Sequence, residues 1–262
     1  YAIHRAVTGP SLEKSFLKVK KDSNLKPRFY VSASGSSGTL AAGDYLKDSF
    51  GTLTAGVKAT GHDGTAPTNK DEEYNGTAWS NVNSLNTGRQ ASSGFGIQTA
   101  AICVGGGAGD PASPAVDCES YDGTNWTEVN NMLFARFGIG GTGTQTNAIG
   151  AGGFVSPPGY QTLSESWDGT CWTEGNNINT GRYQVASAGT GNTSALIAGG
   201  EATPSATTSD ACETYNGTSW TETADLGTAR YALSGGGTAT AALAIGGMIA
   251  PGAKSALVEE WN

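Results

Sequence analysis

Basic residues, histidine and long apolar runs are all scarce in this chain. Of 262 residues only 15 are Lys or Arg and 2 are His, and between Asp71 and Ala253 the only bases are Arg89, Arg136, Arg182 and Arg230. A nucleic-acid binder needs a basic stripe to neutralise phosphates, so no nucleic-acid partner is expected. No run of about 20 apolar residues exists, which disfavours membrane insertion as a helix, and the first residues lack the apolar core and small-residue cleavage site of a signal peptide. The two histidines, His4 and His62, sit in an N-terminal arm and a loop. The four cysteines (Cys103, Cys118, Cys171, Cys212) lack the close pairing of a zinc site. No Ser-His-Asp or Cys-His combination is suggested. No catalytic residue, metal or cofactor is therefore expected, and the chain reads as a non-enzyme. His62-Asp63 is a lone candidate metal contact for which a solvated turn is the favoured reading.

The bases that do occur are unevenly placed: five of nine lysines (Lys14, Lys18, Lys20, Lys21, Lys26) fall in the first 26 residues, against a net charge of -8. The chain opens at Tyr1 rather than Met, so an upstream segment, processed away or left out, is expected. Glycine is abundant, at 40 residues or about 15% of the chain, beside six Trp and nine Tyr that a disordered chain would lack.

These residues recur in phase. The pattern Glu-x-Tyr/Trp-Asp/Asn-Gly-Thr-x-Trp runs from Glu72 to Trp79, Glu119 to Trp126, Glu165 to Trp172 and Glu213 to Trp220, and a fifth copy starts at Glu259. The aromatics Tyr74, Tyr121, Trp167, Tyr215 and Trp261 are 47, 46, 48 and 46 residues apart. An arginine follows each Trp by ten positions (Arg89, Arg136, Arg182, Arg230), and glycine doublets follow at 105–106, 152–153, 199–200 and 246–247. Each period divides into four short strands. In one unit these are Tyr183 to Ala188, then after a turn at Gly189 to Thr193 the apolar Ala195 to Ala198, then Cys212 to Tyr215, then after a tight Asn216-Gly217 hairpin turn in which both residues can take positive φ, Ser219 to Thr223. Four strands in about 47 residues match one propeller blade, whereas a helical solenoid is incompatible with this glycine density.

The glycine doublet closing the second strand, the aromatic on the third and the Trp on the fourth resemble the kelch motif over residues 28–262. The Asp/Asn-Gly-Thr-x-Trp version is also similar to kelch-type repeat proteins of marine bacteriophages. The Asp-box of sialidases is a weaker likeness, since it places another residue between its Asp and Gly. Galactose oxidase is a kelch-type propeller, but its copper needs His and Tyr ligands with a Cys-Tyr crosslink, which two distant histidines do not supply. The resemblance implies an all-β fold: a five-bladed β-propeller of kelch-like four-stranded blades, its doublets and aromatics filling the wedge between blades.

The fifth unit lacks its fourth strand, and Ser15 to Lys20 ahead of Arg28 is expected to supply it. That divides the chain into an arm and closing strand (1–27) and a propeller (28–262). Arg28 stands 46 residues before Tyr74, against 31 to 33 elsewhere, so about 14 residues are inserted, placed here between Gly43 and Val57, with Thr39 to Ala42 or Thr52 to Ala55 as the second strand. Glu72, Glu119, Glu165, Glu213 and Glu259 are expected to pair with Arg28, Arg89, Arg136, Arg182 and Arg230, a structural role favoured over a ligand-binding ring. Trp79, Trp126, Trp172 and Trp220 are structural too. Cys103 and Cys118, on adjacent strands, are either a disulfide or, by default, buried thiols. The sequons at Asn75, Asn125, Asn192 and Asn216 read as turn residues.

A regular frame with variable loops on one side is how scaffolds carry recognition. The loops Ala108 to Ala115, Phe154 to Thr162 and Met248 to Ser255 share one face, and Asp63, Asp110, Phe154, Tyr160 and Glu201 are the candidate binding residues. The expected function is a structural or adhesive module on a virion (phage tail or fibre) or in an extracellular assembly, oligomeric in context, binding protein or glycan. The runner-up is a glycan-processing hydrolase or oxidase using loop carboxylates.

Overall fold

The computed structural model describes residues 40, 48–108, 113–157, 159–202, 207–250 and 252–262. Among them the chain is all-β, with no helix and hence none long and apolar enough to cross a membrane. The strands fall in consecutive antiparallel meanders. The first sheet holds β1 (Asp48–Thr52), β2 (Ala55–Ala59), β3 (Asp71–Tyr74) and β4 (Trp79–Val82); the second, β5 (Ser93–Ile97), β6 (Ala100–Val104), β7 (Cys118–Tyr121) and β8 (Trp126–Val129). The third holds β9 (Gly140–Thr144), β10 (Asn147–Ala151), β11 (Ser164–Trp167) and β12 (Trp172–Glu174); the fourth, β13 (Ala186–Gly191), β14 (Ser194–Ala198), β15 (Cys212–Tyr215) and β16 (Trp220–Thr223). The fifth has three strands, β17 (Ser234–Thr238), β18 (Ala241–Ile245) and β19 (Val258–Trp261).

The first strands β1, β5, β9, β13 and β17 pack side by side in that order and line one cavity of about 410 Å³, a propeller-like arrangement. Burial follows position in the sheet. Second strands of the second, third and fourth sheets are covered on both faces, which is why they read as apolar runs such as Ala-Ala-Ile-Cys-Val in β6. Fourth strands are mostly exposed beyond their leading Trp.

The core is a series of interfaces. Phe50, Val57 and Leu85 of the first sheet receive Tyr121 and Trp126 of the second. Ile102 and Cys118 receive Trp167 and Trp172, Ile149 and Ile178 receive Tyr215 and Trp220, and Leu196 and Cys212 receive Trp261. Within each complete sheet the third-strand aromatic packs on the fourth-strand Trp across the register, with ring centroids 4.8 to 5.4 Å apart.

Each first strand also carries a glycine at the same place: Gly51, Gly96, Gly143, Gly189 and Gly237, all with φ between 114° and 143°. A Cβ there would lie 2.2 to 2.4 Å from a carbonyl oxygen of the second strand, so only glycine fits. In four repeats it stands seven residues after the arginine, a marker that the sequence carried and that the repeat pattern above did not use.

Several local expectations are corrected. The first strand of the fourth sheet is Ala186–Gly191, not Tyr183 to Ala188, because Gln184 takes a left-handed φ of 54° and breaks the run. Gly189 and Gly191, assigned to a turn, belong to that strand and flank a bulge. At Asn216-Gly217 only the glycine has positive φ. The hairpin is instead a four-residue loop in which Asn216 Oδ1 accepts the N–H groups of Thr218 and Ser219. In the first sheet the second strand is Ala55–Ala59, neither of the two segments expected, and from Asp48 onward the sheet has the same four-strand plan as the others. Asp48 to Val57 therefore hold no inserted loop, and the rest of the segment assigned to the insertion lies outside the described residues. Cys103 faces Glu119 in the register while Cys118 faces Val104, so their side chains point to opposite faces of the sheet, and both are free thiols. Arg28, the Ser15 to Lys20 segment and Asp110 lie outside the described residues.

Candidate functional site

The arginines organise the end of each sheet that leads to the loops. Arg89, Arg136, Arg182 and Arg230 are at most 1% exposed. They meet Glu119, Glu165, Glu213 and Glu259 at 2.7, 2.6, 2.5 and 2.7 Å. The second guanidinium nitrogen donates to backbone carbonyls of the same sheet, Gly152 and Leu163 for Arg136, Gly246 and Leu257 for Arg230. The other carboxylate oxygen of each glutamate accepts the backbone N–H three residues before the arginine: Asn86, Leu133, Asn179 and Gly227. Each ion pair thus pins the incoming chain to the sheet it enters. The arginine's own carbonyl accepts the N–H of the second doublet glycine of the preceding sheet (Gly106 to Arg136, Gly153 to Arg182, Gly200 to Arg230). The first sheet makes the same bond from Gly61 to Arg89, with Thr60 at φ 57° in place of the first glycine. Glu72 is buried opposite Lys58 in the first sheet, and its expected partner Arg28 is not described.

Two residues past each arginine the backbone turns left-handed, at Ala91, Gly138, Gln184 and Ala232 with φ 51° to 61°. These residues form a collar: Gly138 N–H donates to Ala91 O at 2.7 Å, Gln184 to Gly138 O at 2.9 Å, and Ala232 to Gln184 O at 2.9 Å. The cavity it borders is lined by glycine- and serine-rich first strands together with Asp48, Phe50, Phe95, Gln184 and Leu233. Thr142 and Ser187 spend their hydroxyls on carbonyls of the adjacent first strand, and Ser93 on the Ile139 carbonyl just ahead of one. No group of three or more His, Cys, Asp or Glu is placed to hold a metal among the described residues.

Between arginine and collar lies a position whose side chain changes from sheet to sheet. The residue after each arginine pairs antiparallel with the residue after each doublet: Gln90 with Gly107, Phe137 with Phe154, Tyr183 with Glu201, and Tyr231 with Met248. Around the third and fourth sheets these positions build an aromatic cluster. Phe154 lies 5.5 Å from Phe137, 5.2 Å from Tyr160 and 5.5 Å from Tyr183, centroid to centroid, and Tyr160 lies 5.6 Å from Tyr183. All are half-buried. The Tyr160 hydroxyl donates to Glu201 Oε1 at 2.8 Å, and burial together with the Glu201 carboxylate pushes the Tyr183 phenol above its ordinary range.

Three of the candidate binding residues, Phe154, Tyr160 and Glu201, thus come together. Asp63 does not join them: its Oδ1 accepts the N–H groups of Thr65 and Ala66 in its own loop, which holds its carboxyl below the usual range. Phe137 and Tyr183 were missed. Their signal was an aromatic directly after the arginine in three of four described repeats, legible once the partner position after the doublet is known. The buried thiols of Cys103 and Cys118 are pushed up to about 12 and that of Cys212 to about 11, chiefly by desolvation.

No family model matches the chain, and no curated protein matches it. Its fold is similar to known structures. The solved structure of YjhT superposes with a TM-score of 0.73 at 12% identity, covering 92% of this chain and 89% of that one. In all, 198 chains of solved structures match. At that identity the likeness concerns the fold alone.

Proposed function

We propose that the chain is a non-catalytic, five-bladed kelch-like propeller that presents its loop face to a partner, as a structural or adhesive component of a virion or other extracellular assembly. The carrying observation is the division of labour around the arginines. The charged residues that repeat are consumed by buried pairing, while the position that varies from sheet to sheet gathers half-buried aromatics and a carboxylate at one surface. The virion setting rests on the repeat resemblance. Measured metal content and turnover on a panel of glycans test the reading. No turnover is expected, and turnover abolished by Glu201→Gln would install a glycan-processing enzyme in its place.

We propose further that the N-terminal segment closes the ring by supplying a fourth strand to the fifth sheet. Three things support this. Among the described residues β19 has a partner on one side only, five first strands share one cavity, and the spacing is right. Lys18 precedes Arg28 by ten residues, as Trp79 precedes Arg89, so the proposed strand would set Lys18 opposite Trp261 as Trp79 stands opposite Tyr74. That register sets Lys20 against Glu259, where the second, third and fourth sheets set Glu against Glu.

A further inference from the structure

We propose that the aromatic cluster shared by the third and fourth sheets is the binding site for an uncharged pyranose ring of a glycan. The inference rests on the loop-presenting reading above and gives it a ligand class and an address. Four rings (Phe137, Phe154, Tyr160, Tyr183) with centroids 5.2 to 6.1 Å apart meet beside one carboxylate, Glu201. Such a set suits two chemistries, a cation held between ring faces or a sugar laid across them. The distances decide between these. An ammonium sandwiched by two faces needs centroids roughly 7 Å or more apart, twice a closest approach of about 3.5 Å. These rings fill the space between themselves, so only their outer surface is on offer. A pyranose fits such a platform: its axial C–H face covers the rings while its hydroxyls reach outward. Glu201 accepts from the Tyr160 hydroxyl and also interacts with the Tyr183 hydroxyl, and the remaining lone pairs of its carboxylate keep acceptor capacity for sugar hydroxyls.

The charge pattern selects an uncharged sugar. A sialylated, sulfated or phosphorylated ligand needs a cation to meet its anion. The four described arginines are consumed in buried pairs, and among the described residues the only exposed lysines are Lys70 and Lys254. Lys254 lies opposite Met248 on the fifth sheet's hairpin, outside the cluster. The charge within the cluster is the carboxylate of Glu201, which repels an anion.

The test uses the full chain and saturation-transfer NMR with methyl β-galactoside, methyl β-glucoside and methyl N-acetyl-β-glucosaminide. Titration with a neutral oligosaccharide bearing the best of them, and with its sialylated form, follows. We expect binding of at least one neutral glycoside at millimolar concentration and weaker binding of the sialylated form. Phe154→Ala should weaken binding at least tenfold. Glu201→Gln, nearly isosteric, should weaken it roughly three- to tenfold with an unchanged melting temperature, and it decides the matter if Phe154→Ala does not fold. No neutral glycoside bound, tighter binding of the sialylated form, or affinity unmoved by either variant would each overturn the site and leave the non-catalytic reading standing. Turnover would remove that reading instead.

Discussion

The second, third and fourth sheets and the two end sheets follow one plan with different hardware. From the first sheet to the fourth, neighbours are clamped twice. A side chain after each first strand donates to the carbonyl of the preceding sheet's third-strand aromatic: Gln98 to Tyr74, Gln145 to Tyr121, Asn192 to Trp167. An asparagine four residues after each Trp donates to the next outer hairpin: Asn83 to Thr124, Asn130 to Thr170, Asn176 to Thr218. Between the fourth and fifth sheets both positions are alanine, Ala239 and Ala224. There a cavity of about 60 Å³ opens, lined by Leu196, Cys212, Ala224 and Trp261 among others. Glu259 is 28% exposed where its counterparts are 2% or less. The first sheet differs in another way. It buries Lys58 and Asp71 at positions that are Cys103 and Cys118 in the second sheet. Identical markers thus secure the first four sheets to one another more strongly than the fifth to the fourth, because clamp and cover both come from a neighbour.

The largest effect should come from deleting residues 1–22. If they cover β19, the loss is several kcal/mol, and the bared edge invites self-association. Thermal unfolding with sedimentation would show it, and a truncated protein as stable and monomeric as its parent would mean that the ends meet otherwise. Next, Arg136→Ala should cost about 3–5 kcal/mol by stranding buried Glu165, and Arg230→Ala distinctly less, since water reaches Glu259. Equal losses by denaturant titration would erase the distinction between middle and end.

The first sheet predicts a pH signature. Burial raises the carboxyls of Asp48 and Asp71 to about 7, against a backbone and side-chain hydrogen-bond pull in the other direction. A folded pKa above the unfolded one means that the folded state binds more protons between roughly pH 4 and 7, so this contribution to stability is present at low pH and lost as pH rises through that window. The stability of Asp48→Asn relative to the parent should therefore grow from pH 4 to 7 and then level, and a flat difference across denaturation series would contradict the burial.

Smaller effects concern the clamps. Gln145→Ala should cost about 1 kcal/mol, while Ala239→Gln should add up to about as much by restoring the missing bond to the Tyr215 carbonyl. Least of all, Ala232→Gly should be neutral or stabilise slightly, as the left-handed collar strains alanine. Gly138→Ala should destabilise, its Cβ falling 2.8 Å from the Tyr183 ring.

The all-β repeat was legible because every sheet solves the same local problem with the same residues. Glu-to-Arg pairing, the doublet, the third-strand aromatic and the fourth-strand Trp act within one sheet or on its immediate neighbour, so they recur every 46 to 48 residues. Strand bounds were less legible where φ rather than side-chain character decides, as at Gln184 and at Thr60 standing in a glycine's place. The faces of Cys103 and Cys118 depend on register parity, which adjacency of strands does not reveal. The candidate site was half legible. Its loops announced themselves by varying within a constant frame, but Phe137 and Tyr183 are far in sequence from Tyr160 and Glu201 or hidden beside a structural arginine. By itself the sequence determined the period, the strand order and the buried ion pairs, all set by local chemistry. Only the tertiary structure decided which rings share a surface and which carboxylate joins them, since that proximity arises from packing one sheet against the next.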